Sequence, residues 1–222
     1  MKLKVVLLAL SCFLPPVSAA QRQIYIGGMG GFATLSGDGA AVVTPSSAST
    51  SLYGPSTGGA ADIIVGAHLF SYVSVQGDYV WNRNGVVLIS NSTTPTGVNF
   101  YRLPQTVTQN AVLANVLLYF RKRGCRIRPY LSEGTGAVFI GSRLSGLPIV
   151  EGMPDLPRTS SSHTSIALRT SVGIDIGLSH SWNFRYSFGE TITRNTYGDQ
   201  LTPPASGIPK NFQNLFGIYF QL

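Results

Sequence analysis

The chain has 222 residues and a formal net charge of +7, but only 11% of its residues are charged, against roughly 25% in ordinary soluble proteins. This length suits a single domain. After the first 20 residues, no segment approaches the ~20 continuous apolar residues of a membrane-spanning helix, which excludes a helical membrane protein.

The N-terminus has the order of a secretory signal peptide. Lys2 and Lys4 precede an apolar run at residues 5–14, and two prolines then lead to Ala19 and Ala20. We predict that residues 1–20 are a cleaved signal peptide, with cleavage after either alanine, and that residues 21–222 form the mature domain. Export makes nucleic acid an improbable partner despite the basic charge.

Cysteine usage indicates a fold without internal disulfides. Cys12 falls in the predicted signal peptide, and its neighbours match a lipoprotein signal poorly. Cys125 then remains alone in the mature chain, and one thiol cannot form an intramolecular bridge.

Hydrophobic residues recur with a period of two, the pattern of β-strands. At residues 166–178, for example, apolar side chains alternate with small or polar ones over more than ten residues. The whole chain contains eight such segments, at about 22–35, 60–69, 72–83, 108–120, 126–142, 164–178, 181–194 and 210–222. We therefore predict an all-β fold with eight strands.

The predicted connections alternate in length. Those after strands two, four and six are short, whereas those after strands one, three, five and seven are long and rich in Ser, Thr, Gly, Pro and Asn. Short turns at one end and long loops at the other are typical of outer-membrane barrels. The pattern predicts an antiparallel up-and-down transmembrane β-barrel with both termini on the short-turn, periplasmic side.

The sparsely charged face of the strands is predicted to line the interior. A water-facing surface normally carries roughly a quarter to a third charged residues, and this face has about one per strand, so we prefer a lipid-facing barrel to a soluble periplasmic lipocalin-like binding barrel. The predicted lumen charge network is Asp62, His68, Asp78, Glu133, Arg169, Asp175 and Arg185.

Eight strands leave an interior that side chains just fill. Because buried charges are costly unless paired, we expect a salt-bridged plug rather than an open pore. Arg169 and Arg185 are predicted to contact Asp62, Asp78, Glu133 or Asp175.

Aromatic residues near the ends of the apolar faces are typical of membrane interfaces. The predicted interface aromatics are Tyr79, Trp81, Phe120, Trp182, Phe184 and Phe220. Outer-membrane lipid is thus an expected partner.

The C-terminal strand resembles the signal that the barrel assembly machinery reads in bacterial outer-membrane proteins. Gly217, Phe220 and Leu222 fit that signal, although the last residue is Leu rather than the commoner Phe. Residues 128–131, with the glycines at 134 and 136, resemble the fifth strand of the OmpA-like β-barrel domain family. The resemblance implies an eight-stranded bacterial outer-membrane barrel assembled by that machinery, but it carries over no activity.

A catalytic site has little support in the sequence. His163 and Ser165 loosely resemble the spacing of the lipid A deacylase family, which leaves an outer-membrane lipid-modifying hydrolase as an alternative. Asp175 lies ten residues from Ser165, roughly 33 Å along a strand, too far to orient the histidine. His68, His163 and His180 are too dispersed for a metal site, and we expect no cofactor.

A basic cluster occupies one predicted short turn, with Arg121, Lys122 and Arg123 followed by Arg126 and Arg128. It is interpreted either as a solvated turn or as a contact with periplasmic polymers or anionic headgroups. Overall, the sequence predicts a non-enzymatic outer-membrane barrel that is structural or binds partners through its long extracellular loops.

Overall fold

The structure, a computed structural model, describes residues 23–152, 159–194 and 200–222. The predicted signal peptide lies outside these residues. The described strands are β1 (Gln23–Leu35), β2 (Asp38–Thr44), β3 (Ser47–Pro55), β4 (Gly58–His68), β5 (Val73–Thr94), β6 (Gly97–Tyr119), β7 (Ile127–Leu144), β8 (Ile149–Glu151), β9 (Ser160–Gly177), β10 (Trp182–Thr193) and β11 (Lys210–Gln221). No helix among the described residues is long and apolar enough to cross a membrane.

Eight of the strands pair into a closed antiparallel ring. The ring runs β1, β4, β5, β6, β7, β9, β10 and β11, and β11 pairs back to β1. The predicted all-β, eight-stranded antiparallel fold is therefore confirmed.

The register of the ring fixes how far the strands tilt. Stepping from partner to partner around the ring leads from Tyr25 back to β1 at Leu35, a stagger of ten residues. With ~3.3 Å per residue and ~4.8 Å between strands, this stagger corresponds to a tilt of about 41°. Each residue thus advances about 2.5 Å along the barrel axis.

The two ends of the barrel differ, although not entirely as predicted. Short turns join β4 to β5, β6 to β7 and β9 to β10, as expected. At the other end, the predicted long loop at residues 84–107 is wrong, because β5 and β6 continue as a hairpin closed by a turn at residues 95–96. The loop after β1 likewise contains the β2–β3 hairpin, and β3 pairs with the extension of β5.

The interior is divided into two parts. Towards the short turns it is filled by charged and polar side chains, whereas towards the long-loop end it is a cluster of apolar side chains. The apolar cluster includes Val80, Leu113, Val138 and Ile140 from the barrel strands, together with Leu201 and Ala205 from the connection before β11. This apolar part was not predicted from the sequence, whose strand pattern indicated a polar interior throughout.

Glycines allow β1 and β11 to approach closely where the ring closes. A Cβ added to Gly217 would overlap the carbonyl oxygen of Gly28, and one added to Gly31 would overlap that of Asn214. Gly31 and Gly217 are therefore required by backbone packing at this closing pair of strands.

We predict that Gly217→Ala weakens the closed barrel, because the added methyl group forces β11 away from β1. Overpacking of this kind destabilises by about 1–3 kcal/mol. The measurement is the fraction of chain that migrates as the compact, heat-modifiable species on a gel. Gly59→Ala is the matched control, since no atom lies within 4 Å of a Cβ at that position. Equal folding of the two variants would contradict the close-packing argument.

Candidate functional site

Arg185 is one of the most buried charged residues that the structure describes, and its side chain, which faces the interior from β10, is 1% exposed. Its Nε and Nη2 atoms donate to the two carboxylate oxygens of Asp175, at 2.6 and 2.8 Å. Further donations reach the Gln76 side-chain oxygen and the Tyr119 hydroxyl. This bidentate ion pair compensates the charge of Arg185, which would otherwise be very costly to bury.

Tyrosines surround this pair. Tyr119 and Tyr219 both donate to the Asp175 Oδ2 atom at 2.9 Å. The Arg185 guanidinium carbon lies 4.8 Å from the Tyr219 ring centroid and 5.0 Å from that of Tyr130. Such rings stabilise a cation electrostatically while filling space. With the tyrosines on β6, β7 and β11, Asp175 on β9 and Arg185 on β10, this group connects five strands and braces the barrel.

A second ion cluster lies on the long-loop side of the first. The Arg169 Nη1 atom donates to Asp78 at 3.0 Å and to Asp62 at 3.3 Å. The Asp78 carboxylate also accepts from the amides of Gln76 and Asn115. Because the Gln76 side-chain oxygen accepts from Arg185, the two clusters form one network across the interior.

The structure thus brings together five of the seven residues predicted for the lumen network: Asp62, Asp78, Arg169, Asp175 and Arg185. His68 is also buried, but it contacts Ser74 and the Tyr25 ring rather than an acid. Five neutral members of the network were not predicted, although strand parity offered a signal for them: Tyr25, Gln76, Asn115, Tyr119 and Tyr219.

Glu133 departs from the prediction. Its side chain is exposed on the outer face of the barrel, where the Thr170 hydroxyl donates to both of its carboxylate oxygens at 2.9 and 3.0 Å. The opposite face of β7 is inward, because a Cβ on Gly134 would overlap the Asn115 amide. Among the described residues, the Glu133 carboxylate therefore bonds to Thr170 and not, as predicted, to Arg169 or Arg185.

The connection before β11 closes the long-loop end of the interior. Ser51 and Ser90 donate to the carbonyl oxygens of Pro203 and Thr202. The backbone N–H of Gly207 donates to the Asp38 carboxylate at 2.6 Å. Together with the apolar cluster, these contacts fix residues 200–207 against the inner face of the hairpins, so the described side chains fill the interior at both levels.

The predicted interface aromatics lie on the outer face. Tyr79, Trp81, Phe120 and Trp182 are exposed, and Phe184 and Phe220 are partly exposed. Trp182 and Phe220 pack edge to face, with ring centroids 5.1 Å apart, at the short-turn end. Tyr79 instead lies farther along β5 and donates to Asn110.

The predicted assembly signal lies in β11 and just beyond it. Gly217 is packed against β1, and the backbone N–H of Leu222 donates to the Ile24 carbonyl at 2.9 Å. These residues thus take part in ring closure. Recognition by an assembly machinery stays a prediction.

The hydrolase alternative gains no support from the geometry. His163 is exposed, and the Ser165 hydroxyl donates to the neighbouring Ile166 carbonyl instead of to a histidine. Asp175 is taken up by the arginine–tyrosine network at the opposite end. Within the described residues, no group of three or more His, Cys, Asp or Glu side chains could hold a metal ion.

We predict that Arg185→Met destabilises the barrel by about 3–5 kcal/mol, because it leaves Asp175 buried without its cation. The double variant Arg185→Met/Asp175→Asn should recover much of this loss. Lys210→Met is the control, since it removes an exposed ion pair with Glu190 of 3.2 Å that contributes at most about 1 kcal/mol. Denaturant unfolding followed by tryptophan fluorescence measures all three, and equal losses for Arg185→Met and Lys210→Met would refute the bracing role.

We predict that Glu133→Leu raises stability in lipid by on the order of 1 kcal/mol. Glu133 lies six residues into β7, about 15 Å along the axis, near the middle of an apolar band ~25 Å tall. Removing a charge from a face that meets lipid is favourable there. A loss of stability in vesicle-based unfolding would instead indicate an inward, ion-paired Glu133, and Thr135→Leu on the same face is the control for hydrophobicity alone.

Two solved outer-membrane proteins are similar to the chain. Neisserial surface protein A has a similar structure, with a TM-score of 0.53 at 11% identity over 91% of this chain and 100% of that chain. The outer membrane protein OprG from Pseudomonas aeruginosa gives a TM-score of 0.49 at 11% identity, over 90% of this chain and 96% of that chain. No curated protein sequence matches the chain.

The first of these likenesses shows the fold, and the family match goes further. The family described as "outer membrane protein beta-barrel domain" matches residues 5–209, most of the chain. The strands of this chain therefore cross the bacterial outer membrane. This result excludes the alternative of a soluble, lipocalin-like binding barrel. The chain belongs to the outer membrane protein β-barrel domain family.

Proposed function

We propose that this barrel is a non-catalytic cell-surface binding protein that holds an extended segment of an extracellular protein against strand β2. The observation that carries the proposal is the free edge of β2, at the end of a sheet that projects from the barrel. In the described part of the chain, β2 pairs only with β3.

The projecting sheet is large. Beyond Arg83, where pairing with β4 ends, β5 continues for residues 84–94 alongside β6. Those residues extend about 36 Å along the strand. β2, β3 and β8 add to this pair, so the sheet stands well clear of the membrane and can meet large partners.

The edge of β2 lacks the usual protection against strand pairing. Natural edges are commonly blunted by lysine, proline or bulges. β2 contains neither lysine nor proline, and Asp38 is its only charged residue. Val43 is 77% exposed. Such an edge suits β-augmentation, in which main-chain hydrogen bonds supply affinity.

The sheet is held in place before any partner arrives. At the start of β2, the Asp38 carboxylate accepts a hydrogen bond from the backbone N–H of Gly207. The Tyr101 hydroxyl donates to the Gln200 carbonyl at 3.2 Å. An ordered binding element loses less conformational entropy on association than a mobile loop does. The connection before β11 therefore preorganises the proposed binding edge.

The proposal includes the orientation of the chain. We place both ends of the barrel chain, near Gln23 and Leu222, in the periplasm, because they lie with the short turns and outer-membrane barrels carry their longer loops outside. Outer-membrane lipid then surrounds the apolar outer face. The barrel assembly machinery would read β11 through Gly217, Phe220 and Leu222.

We predict that Val43→Lys weakens adhesion of cells expressing the barrel by about tenfold, because a lysine on the edge opposes strand addition and each lost main-chain hydrogen bond removes ~1 kcal/mol. The assay counts cells retained on surfaces coated with fibronectin, collagen or mucin. Val98→Lys is the matched control, since Val98 is also exposed but lies on β6, away from the β2 edge.

Two results would refute the proposal. One is retention of wild-type cells no greater than that of cells without the protein. The other is equal retention of cells carrying Val43→Lys and Val98→Lys. A parallel experiment measures how fast a cell suspension settles. Faster settling means that the cells aggregate, which would identify a second copy of this chain, instead of an extracellular protein, as the partner.

A further inference from the structure

A cavity of about 610 Å³ opens at the short-turn end of the barrel, opposite the projecting sheet. We call it the basic vestibule. Its lining includes Arg123, Cys125, Arg126, Arg128, His180 and Tyr219. Its volume lies within the ~300–1,000 Å³ of small-molecule sites.

The charged side chains that line the basic vestibule are all basic. Three arginines and one histidine line it, and none of its described lining residues is an Asp or Glu. Asp175, the register partner of Arg128 across β7 and β9, accepts a hydrogen bond from the Tyr219 hydroxyl and is ion-paired with Arg185.

Arg128 gives the cavity a built, rigid donor. It is only 6% exposed, and its guanidinium lies 3.7 Å from the centroid of the Tyr119 ring. One Nη atom donates to the Ser71 carbonyl at 3.4 Å, but its buried Nε atom has no hydrogen-bond partner among the described residues. Stacking occupies the flat face of a guanidinium and leaves its in-plane N–H groups for an oxyanion.

Arg123 lies on the same side and adds to the positive potential. Its Nη2 atom donates to the His68 carbonyl at 3.2 Å, which holds the side chain near Arg128. Burial and the neighbouring Arg128 both lower the pKa of Arg123. The fold thus keeps like charges close together, an arrangement that an anion between them would stabilise.

We propose that the basic vestibule binds a phosphate group. Several guanidinium groups favour a ligand with more than one negative charge and oxygens in bidentate geometry, and phosphate offers both. The cavity is larger than phosphate alone, so the group can belong to a small phosphorylated solute or to a lipid headgroup at the rim. This site is independent of the proposed adhesion by β2.

The first test is calorimetric titration of the full mature barrel, in a non-ionic maltoside detergent, with inorganic phosphate and with pyrophosphate. Chloride at matched ionic strength is the reference. We expect Arg128→Gln and Arg126→Gln each to weaken phosphate binding about tenfold. Arg102→Gln, on the projecting hairpin, is the matched control and should bind as the wild type does.

The second test uses Cys125 as a reporter inside the cavity. Bound phosphate should slow the alkylation of Cys125 by neutral iodoacetamide. Mass spectrometry of the peptide that contains Cys125 measures the alkylated fraction over time. Repeating the labelling in nanodiscs with and without phosphatidylglycerol distinguishes the sources of the group. Protection by soluble phosphate supports a solute, and protection only with phosphatidylglycerol supports a headgroup.

The proposal fails if neither phosphate nor phosphatidylglycerol protects Cys125. It also fails if Arg126→Gln binds phosphate as tightly as Arg102→Gln does. Arg126 is exposed, so its substitution tests binding even if Arg128→Gln does not fold. Neither outcome depends on whether β2 binds an extracellular protein.

Discussion

Within the hydrocarbon of a bilayer, every backbone N–H and C=O must find its partner inside the protein, and the rest of this structure depends on that constraint. Closure between β1 and β11 satisfies it, because it leaves the eight ring strands without a free edge at membrane depth. The glycines at this closing pair allow the two backbones to approach. The two strands that end the described strand order, β2 and β8, belong to the projecting sheet.

Ring size then determines what the interior can be. Eight strands with a stagger of ten residues leave room for side chains but little else. The space is filled by the ion network centred on Arg185 and Asp175 near the short turns, and by the apolar cluster near the long loops. A filled interior leaves the two ends of the barrel for the functions proposed above, at the free edge of β2 and at the basic vestibule. The buried arginines Arg169 and Arg185 bond to carboxylates on other strands and so brace the barrel.

The sequence predicted the barrel strands well, because one face of each meets lipid and strict alternation results. It failed where that asymmetry ends. Residues 86–89 are apolar on both faces of the strand, and residues 90–94 are polar on both faces. The segment 84–94 therefore lacks the alternation that predicts a strand. In β7, Gly134 and Gly136 leave the inward face without side chains. The sequence therefore did not indicate which face of β7 points inward, and the outward position of Glu133 was not predicted. The inward fold of residues 200–207 depends on contacts across the chain, which no local pattern encodes.

The interior of the barrel is closed by its own side chains. Conductance of the mature chain in a planar lipid bilayer tests this most directly, with the compact, heat-modifiable species as the only protein added. A filled interior predicts a bilayer that stays electrically silent across the applied voltage range. Stable, reproducible channel openings by that folded species would contradict the account.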